Sequence, residues 1–444
     1  MQIITGFFRH PPRVLVAGFA LVILTGALLL SLPLASASGQ PTDFLTALFT
    51  ATSAVCVTGL VVVDTGTYWS SFGHLVIIAL IQVGGLGFVV MAVLFWLLMG
   101  RRVTFRERLL IQESLNVIDL SGLVRLVKKI ILLTFSIQAV IALLLMLRWV
   151  PELGLGKGIW FGLFHGISAF NNAGFDLFGQ FRSLTGYVND PIVNIAIGVA
   201  IILGSIGFTV IFDLLNFRKR RRLSLHTKFT LVMTALLLLV GVGIIFLLEL
   251  NNTLASLSPG GKLLASWFQS VSPRTAGYNT LDIAALRPAT LFFLIIMMFI
   301  GGSPGSTAGG IKTTTFGMLG LTVLSLARGK EDAELFGRRI PKDQIYKGLG
   351  ILLIAISWIV FATLLLSISE KADFLVVMFE VVSAYGTAGL SAGLTPELSP
   401  FGQVIIIFTM FLGRLGPLTI TFALAARQLR KQHLRYPEER IIIG

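Results

Sequence analysis

The sequence predicts an all-α membrane protein built from four tandem copies of one unit. Three observations lead to this prediction: an apolar composition, a series of apolar runs of membrane-spanning length, and four glycine turns that recur about once per quarter of the chain. Of the 444 residues, 55% are hydrophobic and only 13% are charged, which is too apolar for a water-soluble protein of this size. The chain is therefore expected to fold within a lipid bilayer.

Eight apolar runs reach the roughly 20 residues that a helix needs to cross a bilayer. They cover residues 14–32, 74–99, 124–150, 191–217, 226–250, 289–325, 344–368 and 401–427. Four further runs, at 42–53, 158–169, 260–270 and 372–384, are too short to cross. Apolar runs of 10 to 14 residues between spans indicate buried or re-entrant helices. Helix-start residues stand near three of them, at Thr42-Asp43, Ser258-Pro259 and Asp373.

Each short run leads into a turn that ends in glycine. The four segments read SAVCVTGL, SAFNNAGF, VSPRTAGY and SAYGTAGL. Their shared glycines lie 115, 103 and 112 residues apart, at Gly59, Gly174, Gly277 and Gly389. This period predicts four copies of a span, a short helix, a turn and a second span. The copies are expected at 14–99, 124–217, 226–325 and 344–427, followed by a cytoplasmic tail at 428–444.

Two further patterns accompany the glycine turns. An aromatic residue, which can wedge the short helix against its neighbours, precedes each turn glycine by ten positions. These residues are Phe49, Phe164, Trp267 and Phe379. Small residues also recur within each second span and permit close helix approach or a bend. They are Gly84 and Gly87, Gly204 and Gly207, Gly301, Pro304 and Gly305, and Gly413 and Gly416.

The four turns predict a ring around a pseudo-four-fold central pore. Non-helical backbone at membrane depth is tolerated only where it lines a water-filled cavity or is covered by protein. Glycine lets the chain turn its carbonyl groups toward the axis, where they can replace the hydration shell of an ion. The predicted selectivity filter consists of Val57, Thr58, Gly59, Asn172, Ala173, Gly174, Thr275, Ala276, Gly277, Thr387, Ala388 and Gly389.

The sixth span is interrupted by a glycine-rich run. It comprises Gly301, Gly302, Ser303, Pro304, Gly305, Ser306, Thr307, Ala308, Gly309 and Gly310. No continuous helix survives that composition. A phosphate-binding loop is disfavoured because Ile311 separates the last glycine from Lys312 and no βαβ pattern precedes the run. A flexible kink and an intramembrane gate stay open as interpretations.

Two basic residues fall inside spans, Lys312 and Arg414. An arginine at bilayer depth costs at least about 2.5 kcal/mol on insertion scales, so Arg414 should face a cavity or a partner. It can be a structural tie to backbone carbonyls, or it can place a positive charge near the pore axis. Lys312 can add to that charge or reach toward the cytoplasm.

The residues three positions before the turn glycines all differ: Cys56, Asn171, Arg274 and Gly386. We expect Arg274 at the outer end of the third turn, bracing it, and the Asn171 and Asn172 amides bracing the second. Acidic residues near the turns can concentrate cations at the pore mouth or cap helices. They are Asp43, Asp64, Asp176, Asp282 and Glu380.

The charge distribution predicts the orientation. With eight spans, both termini lie on one side, which carries 26 of the 35 Lys and Arg residues, whereas the opposite loops carry 7. This is the positive-inside bias, so both termini are expected in the cytoplasm, and the net charge of +14 does not indicate nucleic-acid binding. The lone Cys56 excludes an intramolecular disulfide, and five scattered histidines disfavour a zinc site.

The fourfold span, short helix, glycine turn and span unit resembles the Trk/Ktr/HKT superfamily of potassium transporters over essentially the whole chain. The resemblance implies a non-enzymatic potassium uptake subunit in which the carbonyls of the four turn glycines bind potassium. Serine in the first repeat accompanies sodium permeation in that superfamily, so Gly59 implies potassium selectivity. The glycine-rich run, with Lys312 and Arg414, is implied to form a gate beneath the filter.

Two features resemble Ktr-type members in particular: no extra pair of spans precedes the first repeat, and the end of the chain, 436–444, resembles Ktr-type tails. The resemblance implies a homodimer in the lipid of a prokaryotic cell membrane, seated on a cytoplasmic ring of nucleotide-binding RCK domains. We expect no cofactor in this chain, because any nucleotide would bind only to the partner subunit. Sodium stays open as a co-ion.

Two other classes of protein are weighed against this reading. An ion-coupled secondary transporter of a small solute would predict inverted halves and acidic residues at mid-span. All four repeats here begin on the same side, and carboxylates at mid-span are nearly absent. A membrane enzyme would need clustered nucleophiles, histidines or carboxylates within the spans, and the sequence has none.

Overall fold

The computed structural model describes residues 11–99, 103, 105–115 and 122–416. Within these ranges the chain is helical apart from its loops and one short hairpin. The end of the eighth predicted span and the predicted tail at 428–444 lie outside the described residues.

The elements follow in chain order. The first quarter has α1 (Pro11–Leu30), α2 (Phe44–Val55), α3 (Thr65–Tyr68), α4 (Ser71–Leu86), α5 (Phe88–Leu98) and α6 (Phe105–Leu115). The second has α7 (Leu123–Leu153), α8 (Leu155–Phe170), α9 (Pro191–Ser205), α10 (Phe208–Leu215) and α11 (Phe217–Arg220). The third has α12 (Leu225–Glu249), α13 (Pro259–Val271), α14 (Pro288–Phe299) and α15 (Thr313–Ala327). An antiparallel hairpin of β1 (Glu334–Leu335) and β2 (Arg338–Arg339) precedes α16 (Lys342–Ser369), α17 (Phe374–Gly386) and α18 (Pro400–Leu415).

Among the described residues, four helices are single pieces that are long and apolar enough to cross a membrane: α1, α7, α12 and α16. Each opens one quarter of the chain, where the sequence predicts the first span of a repeat. Only 17 to 33% of their most apolar windows is buried. Their apolar side chains therefore face outward, as expected where lipid surrounds the protein.

The second helix is bent in the first two quarters, which is one of the two possibilities that its small residues leave open. Helix α4 meets α5 at 103°, and α9 meets α10 at 100°. Gly87 and Gly207 occupy the bends with φ of 82° and 93°, a conformation that L side chains rarely adopt. In the third quarter α14 and α15 are separated by the predicted glycine-rich interruption, and in the fourth α18 ends before Gly416.

The earlier glycine of each pair serves close approach rather than bending. Gly84, Gly204 and Gly413 pack against backbone oxygens at the ends of the short helices, and a Cβ at any of them would overlap that oxygen. The oxygens belong to Val55, Phe170 and Tyr385, each four residues before its turn glycine. In the first two quarters the earlier glycine of the pair thus allows close helix approach, and the later glycine allows the bend.

The short helices α2, α8, α13 and α17 form the buried centre. Asp43 caps α2 by accepting the N–H groups of Leu45 and Thr46, and Ser258 caps α13. Asp373 occupies the N-cap position of α17 without a side-chain hydrogen bond. Three of the four predicted wedge aromatics are fully buried, and the fourth, Trp267, is partly buried against Gly198.

Candidate functional site

Each glycine turn has the same unusual backbone. The first and third residues of every predicted filter triplet have positive φ, whereas the middle residue does not. The values for these residues are 49° and 93° at Val57 and Gly59, 58° and 70° at Asn172 and Gly174, 80° and 78° at Thr275 and Gly277, and 49° and 80° at Thr387 and Gly389. Positive φ at β-branched residues costs of order 1–3 kcal/mol and persists only when the surroundings impose it.

Hydrogen bonds from the turns back to the short helices impose this conformation. In every copy the N–H of the middle residue donates to a carbonyl of the short helix or of the residue directly after it, for example from Thr58 to Ser53 O at 2.8 Å and from Ala388 to Ser383 O at 2.8 Å. The Gly59 N–H donates to Ser53 Oγ at 3.0 Å. Because these N–H groups are engaged with the helix behind them, carbonyl groups of the turn are left to face other partners.

The four turns contact one another in a closed ring, in the order of the chain. A Cβ on Gly59 would lie 2.6 Å from Ala173 O, and one on Gly174 would lie 2.7 Å from Ala276 O. A Cβ on Gly277 would lie 3.1 Å from Ala388 O, and one on Gly389 would overlap Thr58 O. The backbones approach so closely that only glycine fits all four positions.

The ring faces a cavity of about 250 Å³ that all four turn glycines line. Asp176 and Asp282 also line it. The other predicted mouth acids have different roles, since Asp43 and Asp64 cap helices and Glu380 is buried. Burial raises the pKa of the Asp176 carboxyl to about 7, and the negative charge of Asp64 acts in the same direction.

The glycine-rich run crosses the opposite side of the ring as an ordered loop, residues 300–312. Its two ends pair, since Ile300 bridges Ile311 and the Gly301 N–H donates to Ile311 O at 2.8 Å. The Thr307 hydroxyl donates toward Phe170 O and Gly204 O, at 3.2 and 3.0 Å. Contacts of this kind with other quarters of the chain make a freely flexible kink a poor description of the loop.

The other end of the loop lies directly against the fourth turn. A Cβ on Gly309 would overlap the Thr387 side chain, and one on Gly310 would lie 3.2 Å from Gly386 O. Ser303 and Thr307 donate backbone N–H groups to Ser205 O and Gly204 O, at 2.8 and 3.1 Å. The loop therefore extends from the bend of the second quarter to the predicted filter triplet of the fourth.

Arg414 is tied to backbone carbonyls of two other quarters. Its guanidinium donates to Thr307 O in the loop, to Gly84 O at 2.5 Å and to Gly85 O at 3.2 Å. Lys312 donates from Nζ to Ala308 O at 2.7 Å, within the loop, rather than reaching out of it. Arg414 thus makes the hydrogen bonds to backbone carbonyls that one of its two predicted roles requires, and its positive charge lies beside the loop.

Arg274 lies on the loop side of the ring, which contradicts its predicted place at the outer end of the third turn. Its Nη2 donates to Thr313 Oγ1 at 3.1 Å, and Thr313 Oγ1 in turn donates to Gly301 O. A short helix that enters from the cavity side reaches its deepest point at its C-terminus, so the residues directly after the helix lie deepest. Arg274 follows α13 closely and precedes Gly277 by three residues, so it lies deeper than Gly277.

The second turn is braced by amides, as the sequence predicts. Asn171 Nδ2 donates to Gln82 Oε1 at 2.8 Å, and Gln82 Oε1 also accepts from Gln138 Nε2 at 2.9 Å. The Asn172 amide and the Thr275 hydroxyl lie 3.2 Å apart and join the second turn to the third. Gln82 and Gln138 were not singled out in the sequence, because single polar residues within apolar runs give no periodic signal.

Two buried carboxylates hold outer loops in place: Glu380, which was predicted to lie at the pore mouth or to cap a helix, and Glu249, which was not singled out in the sequence. Glu380 accepts hydrogen bonds from Ser391, Ala392 and Thr395, which follow the fourth turn. Glu249 accepts the N–H of Arg287 and the hydroxyl of Thr290. The Arg287 and Thr290 donors lie 38 and 41 residues from Glu249, and the donors to Glu380 lie 11 to 15 residues from it, so the folded loops bring them together. Among the described residues no group of three or more His, Cys, Asp or Glu could hold a metal ion.

These features define a helical membrane protein in which four strained turns converge on one ring above an ordered loop. The chain matches the family described as "TrkH: Cation transport protein" over residues 10–432. It therefore belongs to the TrkH family of cation transport proteins, which confirms the resemblance found in the sequence. The family consists of transporters, which also confirms the prediction that the chain is not an enzyme.

Relatives of known name match nearly the full length. The chain is 45% identical to the Ktr system potassium uptake protein B of Bacillus subtilis, over 98% of this chain and 97% of that protein. It is 41% identical to the protein of the same name from Vibrio alginolyticus, covering 98% and 95%. It is 40% identical to the potassium/sodium uptake protein NtpJ of Enterococcus hirae, covering 98% and 97%.

A solved structure has the same fold. The crystal structure of the potassium transporter TrkH from Vibrio parahaemolyticus superimposes with a TM-score of 0.73 at 19% identity, covering 94% of this chain and 85% of that one. The agreement extends over nearly the whole chain, so the helices described here are a common framework of both proteins.

Proposed function

We propose that this chain is the ion-translocating membrane subunit of a Ktr-type potassium uptake system. The observation that carries the proposal is the closed ring of four glycine turns, each with positive φ at the first and third residues of its triplet. The full-length relatives named for potassium uptake support the same substrate. The four predicted repeats, 14–99, 124–217, 226–325 and 344–427, would then surround a pseudo-four-fold pore.

The twelve triplet residues would act as the selectivity filter. Carbonyl oxygens held on a closed ring can replace the water shell of a potassium ion without any charged side chain. A cation is favoured because the oxygens carry partial negative charge and because Asp176 and Asp282 line the cavity above. Potassium would be bound as substrate by the carbonyls of Gly59, Gly174, Gly277 and Gly389.

The loop at 300–312 and Arg414 would control passage beneath the filter. The loop abuts Thr387 and Gly386 of the fourth turn, so an ion that leaves the ring on this side meets the loop next. Arg414 holds Thr307 O of the loop and places a positive charge beside it, which would oppose a cation. Opening requires the loop hydrogen bonds to Gly204, Ser205 and Arg414 to be exchanged for others.

We also propose how the subunit is assembled and regulated. The subunit would be a homodimer in a prokaryotic cell membrane, with both termini in the cytoplasm. A separate RCK-type regulatory ring would bind the nucleotide and act on the loop, because the described residues form no soluble nucleotide-binding domain. Relatives named as parts of a Ktr system support the existence of a partner subunit. Sodium would be a co-ion rather than the preferred substrate.

Uptake in a potassium-deficient cell tests this function. Cells that lack their own uptake systems should grow at low potassium when they express this chain with its regulatory partner. Rubidium or potassium uptake should be competed by potassium much better than by sodium. Expression of folded protein in the membrane without any gain of growth or uptake would contradict the proposal.

A further inference from the structure

A second cavity, of about 1020 Å³, opens on the side of the molecule where the second quarter passes into the third. Its lining includes Arg221, Arg222 and Lys228, which lead into and begin helix α12, together with Arg338 of the hairpin. We refer to this site as the basic pocket. It shares no lining residue with the cavity at the glycine ring, and none of its residues belongs to the filter or the loop.

The basic pocket has a strong excess of positive charge. Four cationic side chains line it together with one carboxylate, Asp213, which accepts the Ser224 N–H at 2.8 Å. In the part of the chain that the structure describes, no ion pair joins any of these four cations to a carboxylate. Two neighbouring cations of the hairpin segment differ, since Lys330 pairs with Glu334 and Arg339 pairs with Asp332. Among the described residues, the four pocket cations, Arg338 included, are thus without an ion pair, whereas Lys330 and Arg339 each have one.

An exposed apolar surface rises from the same pocket. Lys228 shares one face of α12 with Val232, Leu236 and Leu239, at helical spacings of four, four and three residues. These three apolar side chains are 53%, 51% and 72% exposed. The face belongs to a helix long enough to cross the membrane, so it is in contact with acyl chains while Lys228 stands at its end.

Aromatic residues complete the boundary between the pocket and the apolar surface. Phe217 and Phe336 both line the pocket and are 46% and 54% exposed. Phe217 begins α11 and Phe336 lies in the turn of the hairpin, so both add exposed apolar surface beside the four cations. A soluble anion would contact the cations alone, whereas a lipid would contact the cations, the aromatic rings and the exposed apolar surface of α12 together.

We propose that the basic pocket binds the phosphate of an anionic phospholipid, whose acyl chains lie along Val232, Leu236 and Leu239. Arginine suits this ligand because its guanidinium can donate two parallel hydrogen bonds to phosphate oxygens. The bound lipid would join the hairpin that follows α15 to the start of α12. The inference rests on the chain being a membrane protein and not on the proposed ion selectivity.

The test uses the full-length protein, purified in detergent, with phosphatidylglycerol as the probe and phosphatidylcholine as the neutral comparison. Native mass spectrometry measures the amount of each lipid retained during titration. The wild type should retain phosphatidylglycerol in preference to phosphatidylcholine. The double variant Arg222→Gln with Arg338→Gln should bind phosphatidylglycerol about 30-fold more weakly, since each basic residue near the membrane surface contributes roughly a fivefold gain.

A matched variant controls for charge alone. Lys342→Gln with Lys347→Gln removes the same charge near the start of α16, from exposed residues that do not line the pocket, and should leave phosphatidylglycerol retention within twofold. Equal weakening by both double variants would overturn the proposal, because binding would then follow net charge only. Size-exclusion profiles and melting temperatures confirm that both variants are folded.

Two further arms distinguish other ligands. Inorganic phosphate and glycerol 3-phosphate should fail to displace phosphatidylglycerol at millimolar concentration, and displacement by either would identify a site for a soluble anion instead. The exposed apolar surface of α12 is tested with Leu236→Asn and Leu239→Asn, which should weaken phosphatidylglycerol retention while leaving all four cations in place. A pocket variant that loses a copurifying cytoplasmic partner but retains phosphatidylglycerol like the wild type would overturn the proposal in favour of protein docking.

Discussion

Arg414 donates a hydrogen bond from Nη2 to the carbonyl oxygen of Gly84 at 2.5 Å, across 330 residues of sequence. The same guanidinium donates to Thr307 O in the loop. One side chain of the fourth quarter therefore connects the first quarter to the loop of the third. The planar fork of arginine allows this, because it presents several donors in fixed directions, whereas a lysine presents a single ammonium group.

Replacing Arg414 by lysine tests the hydrogen bonds of the guanidinium separately from its positive charge. We expect Arg414→Lys and Arg414→Ala both to raise basal potassium flux about tenfold, because each loses charged hydrogen bonds worth roughly 1.5 kcal/mol or more to the loop and Gly84. Potassium efflux from proteoliposomes without the regulatory partner measures this. Arg287→Lys, at an exposed outer position, is the control. A tight Arg414→Lys beside a leaky Arg414→Ala would mean that the charge alone restricts passage.

Shortening the loop should also raise basal flux. Deleting residues 305–310 removes the Thr307 contacts with Phe170 and Gly204 and the contact with the Thr387 side chain. A milder change, Thr307→Val, should raise flux a few-fold, since it removes only the hydroxyl. Thr25→Val is the matched control, because that hydroxyl bonds only to Leu21 O within its own helix. Unchanged or lower flux in monodisperse deletion protein would rule out a gate at this loop.

A serine at position 59 should reduce the preference for potassium over sodium. The Cβ would lie 2.6 Å from Ala173 O and would sit on a residue with φ of 93°. Both effects deform the ring by an energy of roughly 1–3 kcal/mol, so we expect about a tenfold loss of preference. Competition of rubidium uptake by sodium measures the change. Gly39→Ser is the control, with φ of 72° and no atom near the added Cβ, and an equal change there would contradict the filter assignment.

Uptake at subsaturating potassium should rise as the external pH passes through about 7. Burial raises the pKa of Asp176 to about 7, so the carboxyl is neutral below that pH and negatively charged above it. A charge at the cavity attracts a cation with roughly 1 kcal/mol, or about fivefold in uptake. Asp176→Asn should be low and flat between pH 6 and 8, whereas Asp282→Asn should keep the step. Persistence of the full step in Asp176→Asn would assign it to another group.

Glycine at position 84 should be required for stability. A Cβ there would overlap Val55 O, so Gly84→Ala forces helix α4 away from α2 and should lower the unfolding free energy by about 1–3 kcal/mol. Gly243→Ala, in α12 where no atom lies near the added Cβ, should raise it by up to about 1 kcal/mol. Melting temperatures in detergent should therefore move in opposite directions. A similar shift for both would show that helix approach at Gly84 is not close.

Much of the fold was predictable because its signals are local. The length of each apolar run predicts a spanning or a short helix, and α1, α7, α12 and α16 lie where the sequence places them. The bends at Gly87 and Gly207 were open in the sequence, because the same small residues also serve close packing. The wrong prediction for Arg274 has a different cause, since the depth of this residue depends on the direction in which α13 enters the protein.

The sequence by itself determined the helical membrane class, the family and the four glycine positions, because periodicity and spacing are properties of the chain alone. Only the tertiary structure decided that the four turns close into a ring, that Arg414 reaches Gly84 and that Glu380 holds an outer loop. The ring contacts and the Arg414 contact join residues from different quarters of the chain, whereas the hydrogen bonds of Glu380 reach residues 11 to 15 positions away in the same quarter. Packing in three dimensions determines which residues meet in these contacts, and no local pattern of residues indicates it.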